Sequence, residues 1–234
     1  MAATNSVLTA TQRAVLEAFF NDAEDDERFY LSGGTALAGF YLFHRYSDDI
    51  DIFTREESCL LAGDFAGRLS HALRTTGLTT EDAPRPGHYM RYRLSGDPHP
   101  EHPLTKVEFV VDTPPYCARP RRVETVLVDE VLSIGVNKVT ALGRLEPRDY
   151  VDLYMIVERG LASMDDLLRL ASDKDPGLQP LVIADTFDQV ESLAGVAQYL
   201  RRYMIAPLEW RRVLRFYADW ASQVRELNPP GATR

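Results

Sequence analysis

The sequence predicts an α+β protein, with strands and helices mixed in residues 1–130 and mainly helices in residues 131–234. Polar and apolar residues alternate with period two in the first part, most clearly in residues 49–53, which indicates half-buried strands. Apolar residues at helical spacing dominate the second part. The chain has 234 residues, of which 45% are hydrophobic, enough for one sizeable core and a smaller second domain.

The elements of the first part follow from local patterns. Val15, Leu16 and Phe19 are spaced for a helix over residues 9–21, and residues 29–31 read as a short apolar strand. The glycine pair of residues 32–35 interrupts that strand and precedes a helix over residues 36–44. The remaining predicted elements are a helix over residues 56–76 and strands over residues 49–53, 88–94, 105–112 and 124–128.

Helical spacing of apolar residues sets the elements of the second part. Val213, Phe216, Tyr217 and Trp220 form the clearest apolar stripe, which we interpret as a core-facing side. The predicted helices cover residues 138–143, 148–159, 164–171, 185–202 and 208–227.

Composition excludes several classes of protein. The formal net charge of −9 argues against bulk electrostatic binding of DNA. The longest apolar run, residues 36–43, is far shorter than a membrane span, and no membrane association is predicted. Residues 1–6 lack the pattern of a signal peptide, which favours a cytoplasmic location. Cys59 and Cys117 show no metal-binding spacing and read as free thiols.

Lysine is rare in this chain. Of the 26 cationic residues only three are lysines, namely Lys106, Lys138 and Lys174. An ammonium is a compact point charge, whereas a guanidinium is a planar fork. Each lysine therefore has a raised chance of serving a chemical purpose.

Two short motifs predict a site for phosphoryl transfer. Asp49 and Asp51 lie on one face of a strand, and Mg²⁺ binds such carboxylates together with substrate phosphates. Upstream, Gly33 and Gly34 allow the backbone to approach a phosphate, which the following N–H groups and the Thr35 hydroxyl would hold. Alone, a Gly-Gly-Thr stretch is more often an ordinary turn, and an Asp-x-Asp pair is more often a solvated strand face or a helix N-cap. Together they fit a nucleoside triphosphate (NTP) and its metal.

The same residues carry a family resemblance. Leu31-Ser-Gly-Gly-Thr-Ala-Leu-Ala, followed by His44-Arg45-x-Ser47-x-Asp49-Ile50-Asp51-Ile52-Phe53, resembles the signature of the AbiEii/AbiGii toxin-like nucleotidyltransferases. That family belongs to the DNA polymerase β-like nucleotidyltransferase superfamily. The resemblance is dense over residues 29–53 and resumes at residues 105–112 and 137–154.

The resemblance implies a nucleotidyltransferase core with a mixed sheet and a toxin of a toxin–antitoxin system. Such an enzyme transfers a nucleoside monophosphate from an NTP to an RNA acceptor, here expected to be a tRNA 3′ end, with a cognate antitoxin as partner. Two Mg²⁺ ions would be held by three carboxylates, among them Asp49 and Asp51. The implied nucleotide-binding and phosphate-binding residues are Ser32, Gly33, Gly34, Thr35, Arg45 and Lys138.

The third carboxylate is expected from the neighbouring strand. Glu108 lies in mid-strand and matches the family position, with Asp112 as the alternative on the same face. A glutamate here departs slightly from the aspartate that the family often carries. As a metal ligand, Glu108 would also be the candidate general base for the acceptor hydroxyl.

The downstream motif of residues 137–154 suggests two further site residues. Lys138 could reach the β- and γ-phosphates as a point charge and offset the charge of the leaving pyrophosphate. Asp149 and Asp152 share one helix face, and Asp149 is a candidate catalytic residue. Alternatively, Asp149 complements the helix dipole or pairs with Arg144 or Arg148.

The sequence does not identify the acceptor molecule. Arg91 and Arg93 share a strand face that could line an acceptor groove, or could simply be solvated. Transfer to a protein hydroxyl or a small molecule would use the same chemistry. A nucleotide-binding or partner-binding module without turnover is the third hypothesis.

Overall fold

The computed structural model describes residues 7–21, 26–195 and 197–229. The chain forms two compact units that divide after Glu130. Residues 1–6, on which the expectation about a signal peptide depends, lie outside the described residues. Among the helices described, none has the length and apolar character needed to cross a membrane.

A mixed sheet forms the centre of the first unit. Its seven strands in the described residues are β1 (Phe29–Ser32), β2 (Asp49–Thr54), β3 (Thr79–Thr80), β4 (Tyr89–Ser95), β5 (Lys106–Val111), β6 (Arg121–Val123) and β7 (Val126–Val128). They run in the order β3-β4-β5-β2-β1-β7-β6 across the sheet. Strands β2 and β5 are parallel, as are β1 and β7, and the other neighbours are antiparallel.

Four α-helices accompany the sheet in the described part of this unit. They are α1 (Ala10–Asn21), α2 (Gly33–Leu37), which continues as a π-helical turn over Ala38–Leu42, α3 (Glu57–Ala62) and α4 (Ala66–Thr76). Two boundaries differ from the sequence-based expectations. Helix α2 begins at Gly33 rather than at residue 36, and the single helix expected over residues 56–76 is interrupted at Gly63, whose φ of 74° ends α3 in the left-handed region.

The two faces of the sheet differ in chemistry because side chains alternate along each strand. One face carries Ile50, Ile52 and an aromatic cluster against α1 and α4, in which the Phe65 and Phe109 ring centroids are 4.1 Å apart. Phe19 and Phe29 complete this cluster. The opposite face carries the aspartates of β2. The buried aromatic face therefore holds the strands in register and turns the charged residues to the other side.

The second unit consists of helices in the residues that the structure describes. They are α5 (Val131–Ala141), α6 (Pro147–Glu158), α7 (Met164–Lys174), α8 (Pro180–Asp188), α9 (Ala197–Leu200) and α10 (Trp210–Leu227), with 3₁₀ turns over Leu142–Arg144 and Gln189–Leu193. Val213 and Tyr217 of α10 are fully buried, as the apolar stripe predicts. The predicted fold class, a mixed-sheet α+β core followed by helices, is confirmed.

Candidate active site

Strand register brings the predicted carboxylates into two adjacent rows on one face of the sheet. Ser32 of β1 lies opposite Asp51 of β2, Asp51 lies beside Glu108 of β5, and Glu108 lies opposite Arg91 of β4. The adjacent row on the same face consists of Asp49, Lys106 and Arg93. Residues from distant parts of the sequence thus form one charged patch.

Gly33 lies directly against the Asp51 carboxylate. A Cβ atom built on Gly33 would be 2.0 Å from Asp51 Oδ2 and 3.0 Å from Asp51 Cβ, and the φ of Gly33 is 67°. Only glycine combines that backbone conformation with such a close approach at low cost. The start of α2 is therefore held against the strand that carries the aspartates.

Gly34 has a similar relation to a buried arginine. A Cβ atom on Gly34 would be 2.5 Å from Arg45 Nη2, and Arg45 is only 2% exposed. Arg45 donates through Nη1 to the Tyr46 carbonyl at 2.8 Å. The glycine pair thus packs between the aspartate strand and the Arg45 guanidinium.

Two hydroxyl groups hold Asp49 in place. Ser47 Oγ donates to Asp49 Oδ1 at 2.6 Å, and the buried Thr35 hydroxyl donates to the Asp49 carbonyl. The Thr35 side chain therefore fixes the start of β2.

Glu108 is surrounded by donors. Its Oε1 atom accepts from the Tyr89 hydroxyl at 2.5 Å, from Arg91 Nε at 2.7 Å and from Lys106 Nζ at 2.8 Å. Lys106 Nζ also lies 3.3 Å from Asp49 Oδ2. One ammonium group therefore bridges two of the three predicted metal-binding carboxylates.

The pKa values of Asp51 and Glu108 are shifted in opposite directions. Burial, followed by the neighbouring charges of Asp49 and Glu108, raises the pKa of Asp51 well above its ordinary value. Burial also acts to raise the pKa of Glu108, but the hydrogen bonds from Lys106 and Tyr89 outweigh it and lower that pKa. Asp51 thus retains a proton more readily than Glu108 does.

The donor chemistry of this patch fits Mg²⁺, which prefers carboxylate oxygen. Within residues 7–21, 26–195 and 197–229, however, no three acidic, histidine or cysteine side chains converge as a finished metal cage. Two of the carboxylate oxygens, Asp49 Oδ2 and Glu108 Oε1, face the Lys106 ammonium, and Glu108 Oε1 also accepts from Arg91.

The alternative third carboxylate, Asp112, follows the end of β5 and accepts a 2.8 Å hydrogen bond from the Tyr30 hydroxyl. Glu108 is the residue in register with Asp51. Near the other end of the row, Ser32 Oγ donates to Asp129 Oδ2 at 2.8 Å. Sequence reasoning missed Asp129, although an acidic residue directly after the apolar strand β7 was a usable signal.

Lys138 and Asp149 meet inside the second unit. Lys138 Nζ lies 2.6 Å from Asp149 Oδ1 and 2.8 Å from Asp152 Oδ2, and all three residues are buried. Arg144 Nη2 lies 2.9 Å from Asp149 Oδ2, which is the ion pair anticipated as an alternative. These contacts bind α5 to α6.

Lys106 and Tyr89 are further site residues that sequence reasoning did not select. The rarity of lysine and the shared strand face with Glu108 drew attention to Lys106, but neither predicted its contact with Asp49. Tyr89 gave no signal because its contact with Glu108 depends on the pairing of β4 with β5.

Comparison with known proteins identifies similar sequences and folds. A family model described as "Nucleotidyl transferase AbiEii toxin, Type IV TA system" matches residues 14–220. No curated protein matches the chain.

Three solved structures share the fold. A putative nucleotidyltransferase from Helicobacter pylori is 17% identical, with a TM-score of 0.54 over 93% of this chain and 92% of its own. JHP933 from H. pylori is 16% identical, with a TM-score of 0.53 over 93% and 90%. MenT4, a nucleotidyltransferase toxin from Mycobacterium tuberculosis, is 16% identical, with a TM-score of 0.52 over 90% and 81%.

Proposed function

Because the chain belongs to the AbiEii family of nucleotidyl transferase toxins of type IV toxin–antitoxin systems, we propose that it transfers a nucleoside monophosphate from an NTP to RNA. The proposed acceptor is the 3′ end of a tRNA, and the proposed consequence is a block of translation. The reaction would depend on Mg²⁺, with two ions at the carboxylate row.

The close packing of Gly33 on Asp51 is the observation that carries this proposal. It places the backbone at the start of α2 beside the carboxylates of β2, so that a phosphate held by that backbone would lie next to a metal held by Asp49 and Asp51. Glu108, in register with Asp51, is the proposed third ligand.

Each residue of the patch has a role in the proposed reaction. Bound Mg²⁺ would polarise the phosphoryl oxygens and offset the charge of the leaving pyrophosphate. Asp49, Asp51 and Glu108 would hold the metal, and Glu108 would accept the proton of the acceptor hydroxyl as it attacks the α-phosphorus. The bond between that phosphorus and the bridging oxygen then breaks, and pyrophosphate leaves.

The backbone of Gly33 and Gly34, together with Ser32, Thr35 and Arg45, forms the proposed nucleotide-binding set on the first unit. The close packing of Gly34 on Arg45 supports this assignment. Lys138 and Asp149 of the second unit are proposed as further catalytic residues, on the strength of their family resemblance alone. In the structure these two side chains form an ion pair with each other.

Two exposed arginines on the charged face of the sheet support RNA as the acceptor. Arg91 and Arg93 of β4 are 52% and 64% exposed, and they belong to the same two rows as the carboxylates. Arginine at such positions can contact backbone phosphates while the terminal hydroxyl reaches the metal site. This local patch is compatible with the net charge of −9, since it needs only a short stretch of RNA.

Incubation of the protein with total RNA, Mg²⁺ and α-labelled NTPs tests the proposal. We expect label on an RNA of tRNA size, no label from γ-labelled NTPs, and loss of the product in EDTA. Asp51→Ala should abolish labelling. Asp173→Ala, which removes an exposed carboxylate from α7, is the matched control and should leave labelling unchanged. Absence of Asp51-dependent label on RNA would refute the RNA reading.

Periodate treatment of the RNA locates the acceptor atom. Oxidation destroys the 3′-terminal diol, so it should block labelling if the 3′ hydroxyl is the nucleophile. Label on treated RNA would exclude the 3′ end. Label on a protein band or a small molecule would instead favour the second acceptor class, and metal-dependent NTP binding without any product would favour a module without turnover.

Membership of this family implies a cognate antitoxin as partner. Because NTPs and tRNA are cytoplasmic, we propose the cytoplasm as the site of action. Co-expression with the adjoining reading frame tests the partner, since an antitoxin should relieve the growth arrest caused by the wild-type protein.

A further inference from the structure

The carboxylate patch contains its own cation. Lys106 Nζ lies 2.8 Å from Glu108 Oε1 and 3.3 Å from Asp49 Oδ2. It therefore bridges one carboxylate of β5 and one carboxylate of β2. Lys106 lies beside Asp49 in the strand register. The bridge is therefore built into the pairing of the two strands.

The ammonium of Lys106 uses the oxygens that a divalent cation would need. Glu108 Oε1 already accepts three donors, and an oxygen in that state has no lone pair left for a metal. Asp49 Oδ1 accepts from Ser47, while Oδ2 faces Lys106. A metal ion held by Asp49 Oδ2 and Glu108 Oε1 must therefore displace the Lys106 ammonium, and one held by the other oxygen of either carboxylate would lie close to its charge.

The Lys106 side chain can make that movement. It is 26% exposed and has a flexible four-carbon stem, so its charged group lies near solvent while its stem stays on the sheet. Arg91 also contacts Glu108, but its side chain reaches from the neighbouring strand β4.

We propose that Lys106 is an exchangeable counter-cation, which bridges Asp49 and Glu108 when no divalent cation is bound and is displaced when one binds. It is a positioning residue: it keeps mutually repelling carboxylates folded in place before the metal arrives. This inference rests on the proposed function, because that function supplies the metal site.

The proposal predicts that metal affinity rises, rather than falls, when a residue of the site is changed. If Lys106 competes with the metal, removing its charge must tighten metal binding, even though the protein without metal becomes less stable. A purely structural role predicts the reverse, since loss of a positioning contact weakens a site. Two-state competition of this kind follows from the repulsion between like charges at short range.

Binding of Mn²⁺ alone, followed by loss of the free-ion signal in electron paramagnetic resonance, measures the effect without any transfer activity. Lys106→Met should bind Mn²⁺ about fivefold more tightly than the wild type, or better. Lys106→Arg keeps the charge and should stay within about twofold. Lys174→Met in the second unit makes the same change in net charge and should leave binding unchanged.

Thermal melts provide a second readout. In EDTA, Lys106→Met should melt below the wild type, and its gain in melting temperature on adding Mn²⁺ should exceed that of the wild type. If the methionine variant does not fold, Lys106→Gln tests the same charge with an amide that can still donate a hydrogen bond.

Unchanged or weaker Mn²⁺ binding in the uncharged variants would overturn the inference while leaving the proposed function intact. Mn²⁺ binding by the wild type that is unaffected by Asp51→Asn would contradict the metal site itself, and with it both proposals. The two failures are thus separated by different variants.

Discussion

Replacing Gly33 by alanine should damage the site far more than replacing Gly63, although both glycines have the same backbone conformation. The φ angles are 67° and 74°, so each substitution incurs about 1–2 kcal/mol for a left-handed residue with a Cβ atom. At Gly63 nothing lies within 4 Å of the new atom, whereas at Gly33 it would be 2.0 Å from Asp51 Oδ2. Gly63→Ala therefore measures backbone strain alone.

The steric part of the effect concerns Asp51. Overpacking costs about 1–3 kcal/mol, so Gly33→Ala should lose about 2–5 kcal/mol in free energy of unfolding by urea denaturation, against about 1–2 for Gly63→Ala. Because the Asp51 carboxylate must turn away, transfer activity should fall by about 100-fold or more in Gly33→Ala. Gly63→Ala should keep near-normal activity.

Equal stability and equal activity of the two alanine variants would refute the reasoning, since it would mean that the Gly33 backbone and Asp51 are not in close contact. A Gly33→Ala protein with the stability of Gly63→Ala but little activity would still agree with it. In that case the carboxylate would have moved at low cost, as a side chain with two rotatable bonds can.

Two further predictions concern buried ionisable groups. Burial raises the pKa of Asp129 from 3.8 to about 6, so the folded state holds this proton more tightly; the resulting stabilisation is complete below pH 3.8 and is lost as the pH rises through 6. Between pH 4 and pH 7 the free energy of unfolding should therefore fall by up to about 3 kcal/mol more in the wild type than in Asp129→Asn. Urea denaturation at both pH values measures this difference, and an equal change in the two proteins would contradict it. Lys138→Met leaves Asp149 and Asp152 buried without their ammonium and should cost about 3–5 kcal/mol in urea denaturation. Adding Asp149→Asn should recover part of that loss, and no recovery would argue against the pair.

The elements that sequence predicts well are those whose pattern is local. Strand β2 alternates because Ile50 and Ile52 enter the core while Asp49 and Asp51 do not, and helix α6 begins at Pro147, close to the expected residue 148. Helix α5 begins at Val131, well before the expected residue 138, because its first turns are apolar on several sides and lack a helical period.

Other features depend on contacts between distant residues. Strands β3 and β6 were not predicted, since Thr79–Thr80 is exposed and Arg121–Val123 is mostly polar, and each is a strand only through its partner. Motif and spacing predict Asp49, Asp51 and Glu108 on one face of neighbouring strands, and the register pairs Asp51 with Glu108. The contact between Lys106 and Asp49 was not predicted, because it requires the parallel pairing of two strands far apart in sequence.

The aromatic face of the sheet makes folding and assembly of the charged face depend on the same strand register. Sliding β2 by one residue would turn Ile50 and Ile52 out of the core and turn Asp49 and Asp51 into it, against Phe109 and its neighbours. Such a molecule would not be a folded but inactive enzyme; it would fail to fold. A preparation of the protein should therefore contain fully competent molecules and unfolded ones, with specific activity that follows the folded fraction.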